Sequence, residues 1–443
     1  MDPIEKDLRT YLAKLGSRGE LLTVEAEVSP RTEAAALIDA AIKRGRPLML
    51  ARSTGNPMRM IGNSFGSRSA IETALGCTET GIMAWFGERA SKAIPVVLVD
   101  KAPVQEVIAD AVDLDRLPIP LLHQEDAGPY ITAGIGITKD PESGRQNAGY
   151  YSLQLKGKDR LALRMLPSTQ GYEIFQKRLK RGLRTEMAVA IGLHPIEMIA
   201  ASAHTPFDEF ELAGALRGEP LEMVRCQTLD LAVPAHAEIV LEGVILPDVK
   251  EPEGPIGDWL GYYPLVEDRH IFKVERMTHR RDPIFQTILS GTAEENLLLA
   301  IPRGAAALGA ARKAASGIRN LTLDPFLPCC VLQIAKTFEG EPMNALLAAM
   351  GEVPFVKIGI AVDPDVDLHN MNDVMWAMVT RTRLENDVNI IRNVMGFSRD
   401  PFQLYKAKMA IDATVPLDLR DKFKRSKITN APIDLEKYLQ KAT

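Results

Sequence analysis

Cysteine is scarce in this chain: four among 443 residues, at positions 77, 226, 329 and 330. None forms a CxxC pair and no histidine stands at zinc-finger spacing, so neither a disulfide framework nor a thiolate zinc site is indicated. Cys329 and Cys330 lie in the apolar run LPCCVLQIA, where buried free thiols on a strand are expected. Only seven histidines occur, and no GxSxG elbow or Ser/His/Asp arrangement accompanies them, which disfavours serine-hydrolase chemistry. GxGxxG and GxxxxGKS/T loops are missing as well. Gly66 and Ser67 ahead of a helix offer amides to an anion, a weak signal without those motifs. No apolar run reaches the roughly 18 residues a membrane span needs, and the start MDPIEKDL reads as an acidic helix rather than a signal peptide. A cytoplasmic protein with no membrane partner is the expectation. Positive charge is not in excess: 53 Lys and Arg against 58 Asp and Glu give a net charge of −5, so there is no global electrostatic reason for nucleic acid to bind. The basic run KRLKRGLR, residues 177–184, is the local exception and reads as a solvated helix face.

What the chain does have is length and a globular composition. With 46% hydrophobic and 25% charged residues over 443 positions, it can build two or three cores. Residues 1–114 alternate helix and strand signals: a helix opened by Asp2 and Pro3 and ending at Gly16, a second from Pro30 to Gly45, and buried strands at PLMLA (47–51) and PVVLVD (95–100). This is an N-terminal α/β domain. From residue 115 to 292 the pattern becomes strands joined by tight turns. Leu153 and Leu155 alternate with Gln154 and Lys156, a turn follows at 157–159, and Leu161, Leu163 and Met165 resume the apolar phase, which predicts a β-hairpin. Helical segments near 172–180 and 208–216 interrupt a mostly antiparallel barrel. An Ala/Leu-rich connecting helix follows at 293–318, and residues 319–443 read as a C-terminal α/β domain with a charged tail.

The stretch most suited to chemistry is EPEGPIGDWLGYYP, residues 251–264. Pro252 and Pro255 restrict the backbone and Gly254 and Gly257 permit turns, which predicts a short stiff loop holding Glu253 and Asp258. Two carboxylates aimed into one cavity suit general acid/base work, one protonated and one ionised; a solvated acidic turn gives the same pattern.

Six stretches in order resemble the UbiD family of decarboxylases, which use prenylated FMN: PIPLLHQEDAGPYITAG (118–134), NAGYY (147–151), GKDRLALRML (157–166), EIVLEG (238–243), EGPIGDWLGYY (253–263) and VDPDVDLHNMNDVMWAMVTR (362–381). The resemblance implies a central split β-barrel of flavin-reductase type between two α/β domains. It implies a flavin phosphate held through Mn2+ or another divalent cation and K+, with Asn147 and Glu209 as metal ligands and main-chain oxygens of Ala201, Ser202 and His204 around potassium. Tyr150, Tyr151, Ser152, Arg164, Met165, Leu166, Thr169 and Gln170 would line the flavin, with Lys408 approaching from the C-terminal domain. Glu253 would protonate the carbon that loses carbon dioxide, with Asp258 as the second acid. The family reaction is a reversible decarboxylation of an aromatic, heteroaromatic or α,β-unsaturated acid. A flavin prenyltransferase would supply the cofactor, and a homodimer or larger homo-oligomer is implied.

Two positions depart from the family pattern. Ser152 stands where an arginine normally orients the substrate carboxylate and pairs with the catalytic glutamate; Arg164 or a basic residue of the second domain is a candidate replacement. No histidine lies between Leu166 and Tyr172, where many members have one, so Gln170 or water is left to fill a ligand position and weaker or altered metal binding is expected. These departures also admit a second reading, a noncatalytic flavin-binding subunit of a UbiD-type complex.

Overall fold

The computed structural model describes residues 5–323, 326–396 and 407–426. The expected helix start at Asp2 and Pro3 and the helical stretch after Asp434 lie outside them. Helix α1 (Leu8–Ser17) begins at Asp7, whose carboxylate accepts the Thr10 N–H while the Thr10 hydroxyl accepts the Asp7 N–H. This reciprocal cap satisfies two donors that a helix start leaves open. Leu8, Tyr11, Leu12 and Leu15 form its buried stripe. Strand β1 (Leu22–Val28), α2 (Ala34–Ile42), β2 (Leu48–Ser53), β3 (Arg59–Gly62), α3 (Arg68–Leu75) and α4 (Ile82–Arg89) follow.

The middle of the chain carries β4 (Val97–Leu98), β5 (Val107–Ile108), β6 (Tyr130–Ile131), β7 (Ile135–Lys139), β8 (Gln146–Tyr150), β9 (Ser152–Gly157), β10 (Arg160–Arg164), α5 (Gln170–Lys180) and β11 (Thr185–Ile191). It continues with α6 (Pro195–Ala201), α7 (Glu209–Arg217), β12 (Glu222–Arg225), β13 (Ala232–Pro234), β14 (Ile239–Glu253), β15 (Glu267–His279) and β16 (Ile284–Thr287). Its main sheet has the order β6-β9-β10-β15-β14-β11-β7-β8, with β5 added on β15, and its pairings are antiparallel. The hairpin expected at 153–165 is β9 and β10.

The boundary expected at 114/115 does not separate two self-contained sheets. Strand β16, from the expected barrel segment, pairs parallel with β3 and completes the N-terminal sheet β1-β2-β3-β16. Conversely, β4 pairs with β12 and β5 with β15. The run PVVLVD is therefore not a buried strand of the N-terminal domain. Only Val97 and Leu98 are extended, both exposed.

Helix α8 (Ala293–Ala314) carries Pro302 in its interior. Proline cannot donate to the carbonyl of Leu298 one turn back. That carbonyl instead accepts the Ser202 hydroxyl at the end of α6, so the break in the ladder ties the two helices together. Beyond α8, β17 (Ile318–Thr322), β18 (Cys329–Ile334), α9 (Glu341–Glu352), β19 (Ile358–Val362), α10 (Met371–Arg381), β20 (Val388–Arg392) and β21 (Ala407–Ala413) build a sheet of order β17-β18-β19-β21-β20. Strands β18, β19 and β21 are parallel. One continuous apolar cluster runs from α1 through α4, α6 and α8 to Cys330, Leu332 and Ile334 of β18, and a second fills the other side of the antiparallel sheet.

Candidate active site

The site grows from cross-strand register. Tyr130 stands opposite Gln154, Gln154 opposite Ala162, and Ser152 opposite Arg164. Residues directly opposed in a ladder point to the same side, so Tyr130, Ser152, Gln154 and Arg164 share one face. Their neighbours Ile131, Leu153, Leu161 and Leu163 take the other and join the core. The same alternation divides the expected flavin-lining set. Tyr151 and Met165 belong to the buried core, while Ser152 and Arg164 face the site.

Glu253 arrives on this face as the last residue of β14, not on the expected loop. Its carboxylate is 1% exposed. The Tyr130 hydroxyl donates to Oε1 at 2.9 Å, and Arg164 Nε lies 3.9 Å from Oε2. Arg164 is itself buried and its Nε has no hydrogen-bond partner. Next to the carboxylate, Gly254 takes φ +94°, a conformation that L side chains resist, and its N–H donates to Gln154 Oε1 at 3.4 Å. The segment before β6 pins the turn further: the Ala127 N–H donates to the Pro255 carbonyl and Asp126 Oδ1 accepts the Gly257 N–H.

Asp258 is placed differently from Glu253. Its Oδ1 accepts the Leu260 N–H at 2.8 Å and its own N–H donates to the Tyr262 carbonyl, so it organises the following turn.

A second polar cluster forms where β8, α5 and α7 meet. Asn147 Nδ2 donates to Gln170 Oε1 at 3.0 Å and to Glu209 Oε1 at 3.4 Å, and the Ala148 N–H donates to Glu209 Oε2 at 2.8 Å. Gln170 and Glu209 are both first residues of helices capped by Thr169 and Asp208, which fixes the direction from which their side chains enter. Gly171 leaves room for Tyr151, because a Cβ there would sit 2.0 Å from the Tyr151 hydroxyl oxygen. Burial pushes the Glu209 carboxyl up to about 7, against the Ala148 N–H that pulls it down. Asn147 Oδ1 is buried with no hydrogen-bond partner. No group of three or more His, Cys, Asp or Glu able to hold a metal occurs among the described residues, so a cation at this cluster would depend on amide oxygens.

The remaining expected residues are dispersed. Ala201 and Ser202 close α6, and the Ser202 carbonyl is approached at 3.4 Å by Arg303 Nη1, a neighbour that sequence reasoning did not identify. His204 is exposed. Tyr150 has a buried hydroxyl with no hydrogen-bond partner, and Thr169 caps α5. Leu166 is half-buried, and its carbonyl accepts the Thr169 hydroxyl. Lys408 is buried on β21, where its ammonium donates to the Met350 carbonyl in the last turn of α9 at 2.7 Å. A cation at a helix C-terminus is favourably placed, and this contact engages Lys408 within the C-terminal domain. The basic run at 177–184 is engaged by its own surroundings: Lys177 with Asp140, Glu142 and Glu173, Arg181 with Glu142, and Arg184 with Glu275. No helix among the described residues is long and apolar enough to cross a membrane.

Tyr130 is the residue that sequence reasoning missed at the site. Its signal was confined to its place in DAGPYITAG, because its role depends on the pairing of β6 with β9.

Three family models cover most of the chain. The 3-octaprenyl-4-hydroxybenzoate carboxy-lyase N-terminal domain matches residues 12–90, the Rift-related domain 96–293 and the C-terminal domain 297–413. The anhydromevalonate phosphate decarboxylase of Methanothermobacter thermautotrophicus is 33% identical over 428 residues, spanning 94% of this chain and 99% of that protein. The solved structure of the UbiD-class enzyme HmfF from Pelotomaculum thermopropionicum in complex with FMN is 38% identical with a TM-score of 0.92, covering 98% of this chain and all of that one. An evolved dimeric form of that enzyme in complex with prFMN is 37% identical with a TM-score of 0.90, over the same shares of both chains.

Proposed function

This chain belongs to the UbiD family of carboxy-lyases, and from that premise we propose that it decarboxylates an aromatic, heteroaromatic or α,β-unsaturated acid reversibly with prenylated FMN. The observation that carries the reading is Glu253, sealed from solvent at a strand end with its two carboxyl oxygens divided between the Tyr130 hydroxyl and the Arg164 guanidinium. A carboxyl so held can pass a proton to a carbon atom without competition from bulk water. The solved relatives in complex with FMN and prFMN support a flavin nucleotide as the cofactor.

The residues present fit a cation-bound nucleotide phosphate. Asn147 offers a buried Oδ1 with no partner, Gln170 an amide oxygen 3.0 Å from the Asn147 amide nitrogen, and Glu209 a carboxylate. Oxygen donors of this kind select hard divalent cations such as Mn2+. Main-chain oxygens of Ala201, Ser202 and His204 would hold K+. When bound, prenylated FMN supplies the electron sink that lets the carbon–carboxylate bond break.

The chain's own residues do the rest. Arg164, facing the site from β10, orients the substrate carboxylate, the task that Ser152 is too short and uncharged to perform. Carbon dioxide leaves its electron pair on carbon, the Glu253 proton moves to that carbon, and Glu253 is then reprotonated from solvent. In the carboxylation direction Glu253 takes the proton. Asp258 acts on the turn that follows Glu253 and through it on the position of that carboxyl.

The archaeal relative is named for a phosphate-bearing substrate, so acids with a phosphate handle belong in the assay panel beside aromatic ones. The protein is expressed with a flavin prenyltransferase under anaerobic conditions and assayed for carbon dioxide release and for solvent deuterium exchange into the product. Glu253→Gln is expected to abolish both while flavin remains bound; undiminished turnover in that variant removes Glu253 from its role. Flavin bound to the parent protein with no turnover on any acid would instead favour a noncatalytic subunit.

A further inference from the structure

We infer that Tyr130 is a positioning residue for the proton donor: its phenol takes over from the arginine missing at position 152 the task of fixing the Glu253 carboxylate, leaving Arg164 free for the substrate. The inference rests on the proposed role of Glu253. The division of contacts points this way. Tyr130 gives Glu253 a hydrogen bond of 2.9 Å, whereas Arg164 Nε, at 3.9 Å and with no hydrogen-bond partner, is too distant to fix the carboxylate's orientation. A buried guanidinium left with an open donor beside an acid is suited to a second carboxylate, that of the substrate.

Tyr130 is also built into the frame that carries Glu253. Its strand neighbour Gln154 accepts the N–H of Gly254, the residue after the carboxylate. The ring is fully buried, and both burial and the Glu253 charge push the phenol above its ordinary value, so it remains a donor. Ser152 lies two residues before Gln154 on the same strand face, so an arginine there would reach toward the same carboxylate.

The other charged groups near this carboxylate are already engaged. Glu267 is opposite Glu253 on β15, but is exposed and paired with Arg269. Asp126 receives the N–H groups of His123 and Gly257, and the His123 ring lies beside it. Lys156 donates to the Pro252 carbonyl. Tyr130 and Arg164 each approach one of the Glu253 oxygens.

The test is Tyr130→Phe, which keeps the ring and removes the donor, alone and combined with Ser152→Arg, in the flavin-loaded enzyme. Tyr130→Phe is expected to lower kcat about tenfold, as loss of a hydrogen bond to a charged group would. KM, melting temperature and FMN affinity should stay close to the parent. Ser152→Arg in the Tyr130→Phe background should recover part of kcat with KM little changed. An unchanged kcat in Tyr130→Phe overturns the inference. So does a loss that tracks melting temperature and FMN affinity, the result of a merely structural role. Full activity in Glu253→Gln would overturn the proposed function itself, a separate outcome read in a separate variant.

Discussion

Glu253 and Glu209 are both almost sealed from water, yet their surroundings fit them for different work. Glu253 meets a phenol and a guanidinium, neither of which is a cation ligand. Glu209 meets the Ala148 main-chain N–H and the Asn147 side-chain amide, which in turn donates to Gln170, and the oxygens of both amides can turn toward a cation. The Asn147 amide bridges Gln170 and Glu209, which holds the three side chains within reach of one another. Asn147→Ala and Glu209→Gln are therefore each expected to weaken Mn2+ binding to the FMN-loaded protein at least about tenfold, measured by calorimetry or by the electron paramagnetic resonance of free Mn2+. Equal affinity in both variants would place the cation elsewhere. At this scale the sequence was informative in part. Residue types and spacing marked 253 and 258 as candidate acids. They did not reveal that Asp258 would organise a turn while Tyr130 reached Glu253, because a hydrogen bond between residues far apart in the chain is set by strand register.

Helix α8 joins the barrel to the C-terminal sheet, and its first turn contains a buried acid outside the chemistry. Glu294 accepts the Ser64 hydroxyl at 2.7 Å and the Phe65 N–H at 2.9 Å, and burial pushes its carboxyl up to about 7 despite these bonds. The sign follows from linkage. Between an unfolded value near 4.5 and the folded value near 7, the unfolded chain binds fewer protons than the folded one, so stability falls as pH rises through that window. The full effect is on the order of 3 kcal/mol. Glu294→Gln keeps an acceptor for the Phe65 N–H and removes the titration, and is expected to flatten the fall in melting temperature between about pH 5 and pH 8. An unchanged slope by calorimetry would assign that pH dependence to other groups, with Glu197, also raised to about 7 by burial, the first to test. Elements of this kind were legible where local pattern decides them: α1, α2, α8 and the β9–β10 hairpin all follow from apolar period and turn residues. The run PVVLVD misled because an apolar composition does not say which sheet offers a free edge, and β12 of the barrel offered it.

On the scale of the whole molecule, the three segments expected from the sequence are interleaved in structure. Strand β16 leaves the barrel segment to pair with β3 through four residue pairs, Ile284–Arg59 to Thr287–Gly62. The segment before residue 115 returns β4 and β5 to barrel strands β12 and β15. The apolar cluster that contains Phe65, Ile71 and Leu75 of the first unit also contains Ile135, Ile137 and Ile196 of the second and Leu332 of the third. A fragment of residues 115–292 would thus expose β16, the edge of β12 and the apolar side of α6 together, a surface that isolated domains do not leave open. The expected outcome is that this fragment gives no cooperative thermal transition and binds no FMN, whereas the full chain melts in a single transition that FMN shifts upward. Circular dichroism melts with and without FMN measure both. A fragment that melts cooperatively and binds FMN would show that the flavin site needs neither flanking unit, and that the crossing strands are attachments to a barrel able to fold alone.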